Sequence, residues 1–140
     1  MAITQAMCTS FKEDLFQKEQ DLDSDTIKIA LYTSSADLGA GTTAYTTSGE
    51  VTSGNGYTTG GNTLTSPVIG TSGTTAYVDF ANPEWASASF TTAGALIYND
   101  TTAGNNSIAV LNFGGDFTVT SGTFRIVFPT PGAAGLIRID

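Results

Sequence analysis

Histidine is absent from this chain of 140 residues, and cysteine and tryptophan occur once each, as Cys8 and Trp85. Without histidine, a single chain cannot build a Ser-His-Asp triad, a Cys-His pair or a histidine-ligated zinc or iron site. With one cysteine it forms no internal disulfide, which excludes a disulfide-stapled secreted domain. The carboxylates are scattered and form no acid–base motif, so we expect no enzymatic activity, no metal and no cofactor.

Positive charge is also scarce, because the chain has 5 Lys and Arg against 13 Asp and Glu and a formal net charge of −8. Proteins that bind nucleic acid use rows of Lys and Arg to displace counterions from the phosphates. The few scattered cations here therefore disfavour both a nucleic acid partner and an anionic membrane surface. The negative charge favours solubility, or docking on a basic patch of a partner.

Long apolar runs are missing as well. A membrane-spanning helix needs roughly 18 consecutive apolar residues, and the sequence has no such stretch. Residues 1–16 have no apolar run of the kind that a signal peptide requires, so we expect synthesis and folding in a cytoplasm. The length is typical of one domain, and we predict a single domain over residues 1–140.

The N-terminal segment, residues 1–25, is predicted to contain one short helix. Ser10 and Glu13 fit a capping box, with Ser10 as the N-cap, which predicts a helix near residues 10–19 that ends at the polar run 20–25. Phe11 and Leu15 would share one face of this helix, with Phe16 beside it.

From residue 26 onward the hydrophobic pattern changes to the period of a β-strand. Strands are predicted in seven segments: 26–32, 77–80, 94–98, 108–111, 117–120, 124–128 and 136–139. Turn signals between these segments favour an all-β fold, an antiparallel β-sandwich that is jelly-roll-like and preceded by the short helix. Gly114-Gly115 and Ser121-Gly122 predict hairpin turns in a run of hairpins from residue 107 to 128. Four side chains are predicted to face inward: Leu96, Val110, Phe124 and Ile126.

Residues 39–75 differ from the rest, since they hold nine glycines and a single charge, Glu50. We predict a long excursion or loose β-ribbon that lies over the sandwich or over a neighbour. Within it, residues 50–63 read EVTSGNGYTTGGNT, which invites comparison with a phosphate-binding loop. Such a loop opens a helix and carries a nearby lysine, and neither is present here. Turns with positive φ are the better interpretation.

Asp21, Asp23 and Asp25 resemble the start of a calcium-binding loop. An EF-hand needs glycine after the third acidic residue and glutamate at position twelve, where this chain has Thr26 and Tyr32. A solvated acidic linker is therefore favoured, and cation binding at these three residues stays an open alternative.

Two unusual side chains each have a second interpretation. Trp85 follows Glu84 and could bind carbohydrate through its ring, although a single tryptophan is more often an anchor in or beside the core. Cys8 has Lys12 one helical turn later, which predicts a slightly lowered thiol pKa. Because no second ligand or base accompanies it, we interpret Cys8 as a small apolar side chain in a contact.

Four segments, covering roughly residues 5–139, resemble in order a family of small proteins encoded by tailed bacteriophages: MCTSFKEDLF, DTIKIALYTSSADLGAGTTAYTTSGEVTSGNGYTTGGNTL, VDFANPEWASASFTTAGALIYN and AVLNFGGDFTVTSGTFRIVFP. The resemblance implies a capsid cement, or head decoration, protein with a jelly-roll-like β-fold. Such a protein binds the outside of the icosahedral shell formed by the phage major capsid protein and reinforces it. The implied location is the outer capsid surface of the virion, after synthesis in the host cytoplasm.

Two segments are predicted to make protein contacts in this setting. The first is the glycine-rich stretch, whose main chain could pair with the edge of a partner's strand. The second is the amphipathic start of the chain, for which packing on its own sandwich is an equal alternative. The predicted contact residues are Gly54, Asn55, Gly56 and Tyr57 in the first segment and Met7, Phe11, Leu15 and Phe16 in the second. Self-association as a dimer or trimer is also expected.

Two other functions stay open. The main alternative is a tail- or fibre-associated β-domain that binds carbohydrate or a host surface through Trp85. A host carbohydrate-binding module is a further alternative, and it too would bind sugar.

Overall fold

A computed structural model describes residues 2–140, and its elements form two antiparallel sheets with one short helix. The elements are β1 (Ala6–Met7), α1 (Thr9–Gln17), β2 (Ile27–Tyr32), β3 (Asn62–Thr63), β4 (Val68–Ser72), β5 (Thr75–Asp79), β6 (Glu84–Asn99), β7 (Ser107–Arg125) and β8 (Ile137–Ile139). The larger sheet has the strand order β1-β7-β6-β2-β3, and the smaller has the order β4-β5-β8. The predicted all-β antiparallel architecture with a short N-terminal helix is confirmed.

Strands β6 and β7 are 16 and 19 residues long and form the central ribbon of the larger sheet. At one end of this ribbon β2 flanks β6, with Ala30 opposite Leu96, and β1 flanks β7, with Ala6 opposite Val110. Leu96 and Val110 are fully buried there, as predicted. This part of the ribbon carries nearly continuous apolar sequence because both of its faces are covered.

The predicted run of hairpins between residues 107 and 128 is wrong. β7 continues through both expected turns and pairs with β6 from Ser107 to Arg125. Gly114 (φ 84°) and Ser121 (φ 47°) lie at irregularities in the pairing register, where β7 has extra residues relative to β6. Some β-bulges and the tight two-residue hairpin turns both use backbone with positive φ, so the same residue types serve either structure.

The predicted capping box is also wrong. The helix α1 begins at Thr9 with Cys8 as its N-cap, and no side chain caps it. Ser10 lies inside the helix, where its hydroxyl is 3.4 Å from that of Ser107. The amide of Cys8 donates to the carbonyl of Ile108 (2.9 Å), so pairing with β7 fixes where the chain can turn into the helix. The helix ends at Gln17, earlier than expected, and Lys18 caps it in the left-handed conformation (φ 62°).

One cluster of buried side chains joins both sheets and α1. It includes Val51, Tyr57 and Leu64, so the segment 39–75 contributes to the core rather than only lying over it. Phe124 and Ile126, predicted to face inward, are only partly buried. They lie at the far end of the ribbon, past the residues that pair with β1 and β2.

Candidate contact site

The stretch of residues 50–63, here called the glycine-rich loop, is fastened to the domain by its single charge. The Glu50 carboxylate accepts hydrogen bonds from the hydroxyl of Tyr45 (2.6 Å), the hydroxyl of Tyr57 (2.5 Å) and the amide of Gly60 (2.8 Å). Hydrogen bonds to an ionised acceptor are stronger than those between neutral groups. The carboxylate therefore fixes the positions of Tyr57 and Gly60, within the loop, relative to Tyr45, which precedes it.

Tyrosine hydroxyls continue this network into the core. Tyr57 is 2% exposed, and its hydroxyl oxygen accepts the amide of Leu31 (3.0 Å) while it donates to Glu50. The hydroxyl of Tyr98 donates to the carbonyl of Gly60 (2.7 Å), and its ring stacks on Tyr45 at 4.6 Å.

The same environment shifts the acidity of these phenols. Burial raises the pKa of Tyr98 to about 12, with smaller contributions from the negative charges of Asp100 and Glu50. Burial, followed by the hydrogen bond to Glu50, raises the pKa of Tyr57 still further. A tyrosine is protonated at neutral pH even without such a shift, and the raised pKa keeps these hydroxyls as hydrogen-bond donors to more alkaline pH.

Residues 54–57 form a tight two-residue hairpin turn within the loop. The amide of Gly54 donates to the carbonyl of Tyr57 (2.8 Å), and the reverse bond measures 3.0 Å. Asn55 (φ 53°) and Gly56 (φ 90°) both have positive φ, as a type I′ turn requires. The turn predicted from the glycines is confirmed.

This turn rests on β6 rather than projecting freely. The Asn55 carbonyl accepts the amide of Ser89 (2.9 Å), and a Cβ on Gly56 would lie 2.7 Å from the Cα of Ala88. Gly54 and Asn55 keep exposed surface, whereas the side chain of Tyr57 is enclosed. Contact through the exposed residues stays a prediction, but Tyr57 is a core residue and offers no free surface to a partner.

The four predicted contact residues of the N-terminal segment differ in how much of their side chains is exposed. Met7 is half-buried in β1, opposite Ala109, and Leu15 is half-buried on α1. Phe11 is 1% exposed, so it packs on its own domain and offers no free surface. Phe16 is 92% exposed, and a contact role stays a prediction for this side chain in particular.

Beside α1 lies an apolar groove that the sequence did not reveal, with a cavity volume of about 330 Å³ between the helix and the smaller sheet. Leu15 lines it from the helix, and Ile69 and Ile139 line it from β4 and β8. Ile69 and Ile139 are 55% and 52% exposed, which is high for isoleucine. The apolar pair Val68-Ile69 in an otherwise polar stretch was the available signal.

A second exposed apolar surface, here called the ribbon patch, lies at the far end of β7. It contains Phe117, which is 52% exposed, and Val127, which is 72% exposed, beside the partly buried Phe113, Phe124 and Ile126. The ring of Phe113 lies 6.2 Å from that of Phe117 and 6.0 Å from that of Phe124. Sequence reasoning missed this patch because it placed these phenylalanines in hairpins of a closed sandwich.

Asp21, Asp23 and Asp25 lie in a turn, here called the acidic turn, that is stabilised by hydrogen bonds to two of these carboxylates. Asp21 accepts the amides of Asp23 (3.0 Å) and Ser24 (3.3 Å), and Asp25 accepts the side-chain amide of Asn99 (2.7 Å). Over residues 2–140, no group of three or more Cys, Asp or Glu side chains is placed to hold a metal ion.

Cys8 and Trp85 both lie in the core. Cys8 is fully buried, and burial raises its thiol pKa, contrary to the lowering that Lys12 predicted. Trp85 is 3% exposed, so its ring has no open face on which a sugar could stack. Its neighbours include Tyr57 and Phe124, with ring centroids at 6.5 and 5.9 Å.

Comparisons of this chain with protein-family models, with curated proteins and with solved structures gave no match. In the part of the chain that the structure describes, no helix is long and apolar enough to cross a membrane. The family resemblance therefore stays a prediction from the four sequence segments.

Proposed function

We propose that this chain is a structural protein of a tailed-bacteriophage virion, a cement or decoration protein that binds the outside of the capsid shell and reinforces it. The sequence resemblance motivates the proposal. The structural observation that carries it is Phe16, which stands 92% exposed on α1, the helix that forms one wall of the apolar groove. The groove on this helix adds apolar surface, with Ile69 and Ile139 more than half exposed, and contiguous exposed apolar surface is typical of a protein–protein contact.

Phe16 has the energetic properties of an anchor for such a contact. Fully burying a phenylalanine side chain contributes about 1.5–3 kcal/mol, and in the free chain almost none of this is realised. Its exposed neighbours are polar or charged, and they include Glu13 and Gln17 on α1 and Lys18 directly after it. An apolar centre with a polar rim is the usual arrangement of an interface.

The acidic character of the chain suggests the complementary chemistry of the shell. With a net charge of −8, the chain would approach a basic region of the major capsid protein faster than a neutral one. This attraction weakens as salt screens it, whereas the burial of Phe16 does not depend on it. Reinforcement then follows from mass action, since a ligand that binds only the assembled shell stabilises that state.

The glycine-rich loop has a narrower role in this proposal than its sequence suggested. Glu50 and the tight turn fold it onto β6, so it is not a free arm. Its exposed tip at Gly54 and Asn55 can still contact the shell.

Co-sedimentation with matching phage heads stripped of their small proteins tests the proposal. We expect saturable binding in a fixed ratio to the coat subunit, and binding weakened about tenfold by Phe16→Ser, a loss of roughly 1.4 kcal/mol. Gln17→Ser is the matched control, since it changes an exposed neighbour on the same helix and should leave binding unchanged.

Two results would contradict parts of this proposal. If the wild-type chain does not bind the shells, the cement function is wrong. If Phe16→Ser binds as well as Gln17→Ser does, the contact lies elsewhere on the molecule. A thermal shift with a panel of sugars would instead favour the carbohydrate-binding alternatives, although the enclosed Trp85 cannot provide the site.

A further inference from the structure

The far half of β7 presents a strand edge without a partner. β1 pairs with β7 only at Ala109 and Val110, and within residues 2–140 no other strand pairs with that edge. From Asp116 to Ser121 every residue is exposed except Val119, which is half-buried. Natural edge strands are commonly protected by a charge or a proline, yet residues 117–124 contain neither.

The sequence along this edge is close to a palindrome. Residues 116–125 read DFTVTSGTFR, so reversing the direction places Phe117 opposite Phe124 and Thr118 opposite Thr123. The acidic end, Asp116, falls opposite the basic end, Arg125. Two copies that meet through the same surface need that surface to be self-complementary, and a sequence of this kind provides such a surface.

We propose that two copies of this chain pair through this edge, antiparallel, with the two-fold axis between Thr120 and Ser121. Asp116 of each copy then lies beside Arg125 of the other, which gives two ion pairs related by the axis. This inference concerns the chain in solution and does not rest on the proposed capsid function.

The pairing places compatible side chains together along its length. Phe117 would face Phe124 of the second copy, and aromatic pairs and Thr–Thr pairs across strands are both favourable. Phe117 and Phe124 lie on one face of the ribbon, since both contact the ring of Phe113. A two-fold axis perpendicular to the sheet would therefore extend the ribbon patch across both copies and reduce its exposure.

The bulge at Ser121 is compatible with this arrangement. Its backbone (φ 47°) cannot continue a regular ladder of hydrogen bonds. In the proposed register it lies at the axis, so the regular positions 117–119 of one copy meet 122–124 of the other on each side. The charges at the two ends fix the register, because a shift in either direction separates Asp116 from Arg125.

Two charge reversals test the pairing by analytical ultracentrifugation of the full chain over a wide concentration range. We expect the wild type to approach twice the 14.4 kDa mass of the single chain. Asp116→Arg places arginine opposite arginine, and Arg125→Asp places aspartate opposite aspartate, so each variant alone should dimerise about tenfold more weakly or worse. Mixed in equal amounts, the two variants should form a heterodimer, because opposite charges then meet at both ends.

Asp23→Arg is the matched control for Asp116→Arg, since it makes the same change in net charge at an exposed residue of the acidic turn. It should dimerise like the wild type. A wild type that stays monomeric, reversals that dimerise normally, or a mixture that stays monomeric would each overturn the proposal.

A second measurement covers the case in which Arg125→Asp, which loses its contact with Glu84, folds poorly. Thr118→Cys mixed with Thr123→Cys should form an intermolecular disulfide under mild oxidation. Cys8 is fully buried, so the introduced thiols are the accessible ones. Cross-linking no faster than that of a Thr118→Cys and Thr71→Cys mixture would overturn the proposed register.

Discussion

Replacing Glu50 with alanine should destabilise the whole domain, although the residue lies in a glycine-rich loop. The change removes one acceptor from three donors: the hydroxyls of Tyr45 and Tyr57 and the amide of Gly60. A hydrogen bond to a charged group contributes about 1.5–3 kcal/mol when well buried, and about 1 kcal/mol is typical of ordinary bonds. Glu50 is half-buried, so water can partly replace it, and we expect a loss of about 3 kcal/mol in total.

For a domain of this size, 1 kcal/mol corresponds to about 2–4 °C in melting temperature, so Glu50→Ala should lower it by about 6–12 °C. Urea unfolding should give the same loss of free energy with an unchanged slope. Glu50→Gln keeps the shape and one acceptor oxygen, and it should lose about half as much.

The control for this prediction is Glu13→Ala, which removes an exposed carboxylate from α1 and should change stability by about 0.5 kcal/mol or less. Hydrogen exchange separates local from global effects, because the Gly60 amide loses its acceptor directly. If Glu50→Ala unfolds at the same temperature as Glu13→Ala, the carboxylate network does not hold the loop.

Three further predictions concern the tight turn, the buried tyrosines and the core. Gly56→Ala should lower the free energy of unfolding by about 2 kcal/mol, because the new Cβ would lie 2.7 Å from the backbone of β6 and a non-glycine residue with φ 90° is strained. An unchanged melting temperature would contradict the close packing of the turn on β6. Stability should fall as pH rises from about 10 to about 12, because an unfolded tyrosine ionises near 10 and Tyr98 near 12, so the unfolded state releases its proton first. Tyr98→Phe should make this slope in urea titrations shallower without abolishing it, because burial also raises the pKa of Tyr32, Tyr45 and Tyr57. Leu96→Ala should cost about 2–5 kcal/mol and the half-buried Ile126→Ala clearly less, and equal losses by chemical unfolding would refute that difference in burial.

Substitutions at Gly54 and Gly56 would strain the fold itself as well as any contact that the glycine-rich loop makes. A Cβ added to Gly54 would meet no other atom within 4 Å, but the positive φ (111°) strains any side chain there. Gly56 has both a positive φ and a close backbone neighbour. Loss of partner binding by variants at these positions would therefore need a stability control before it identified a contact.

Much of the sheet could be predicted, because the apolar sequence of residues 94–98 and 108–111 is by itself enough to indicate buried strands. Their side chains are apolar on both faces, and the structure buries both faces. The helix could be predicted to exist, but its start at Thr9 depends on the pairing of β1 with β7, which no local pattern contains.

The course of β7 and the role of Glu50 could not be predicted, for different physical reasons. Gly114-Gly115 permits a turn or a bulge, and only the pairing of β7 with β6 along its whole length decides between them. Glu50 looked like an isolated solvated charge in a polar segment. Its partners are tyrosines and an amide brought together by the fold, so the sequence gives no sign that the carboxylate points inward.

The course of β7 and the role of Glu50 together determine which parts of the surface carry no charge. No charged residue occurs between Glu50 and Asp79, and both flanking carboxylates are used internally. Glu50 binds the tyrosines, while Asp79 is 1% exposed and accepts the amides of Phe80 (3.0 Å) and Leu136 (3.3 Å). The exposed strand β4 therefore carries no charged residue of its own, and neither does the part of β7 over residues 117–124. Because a contact centred on uncharged residues avoids most of the desolvation cost of charged groups, these two strands of an otherwise strongly acidic chain are where partners can pack most closely.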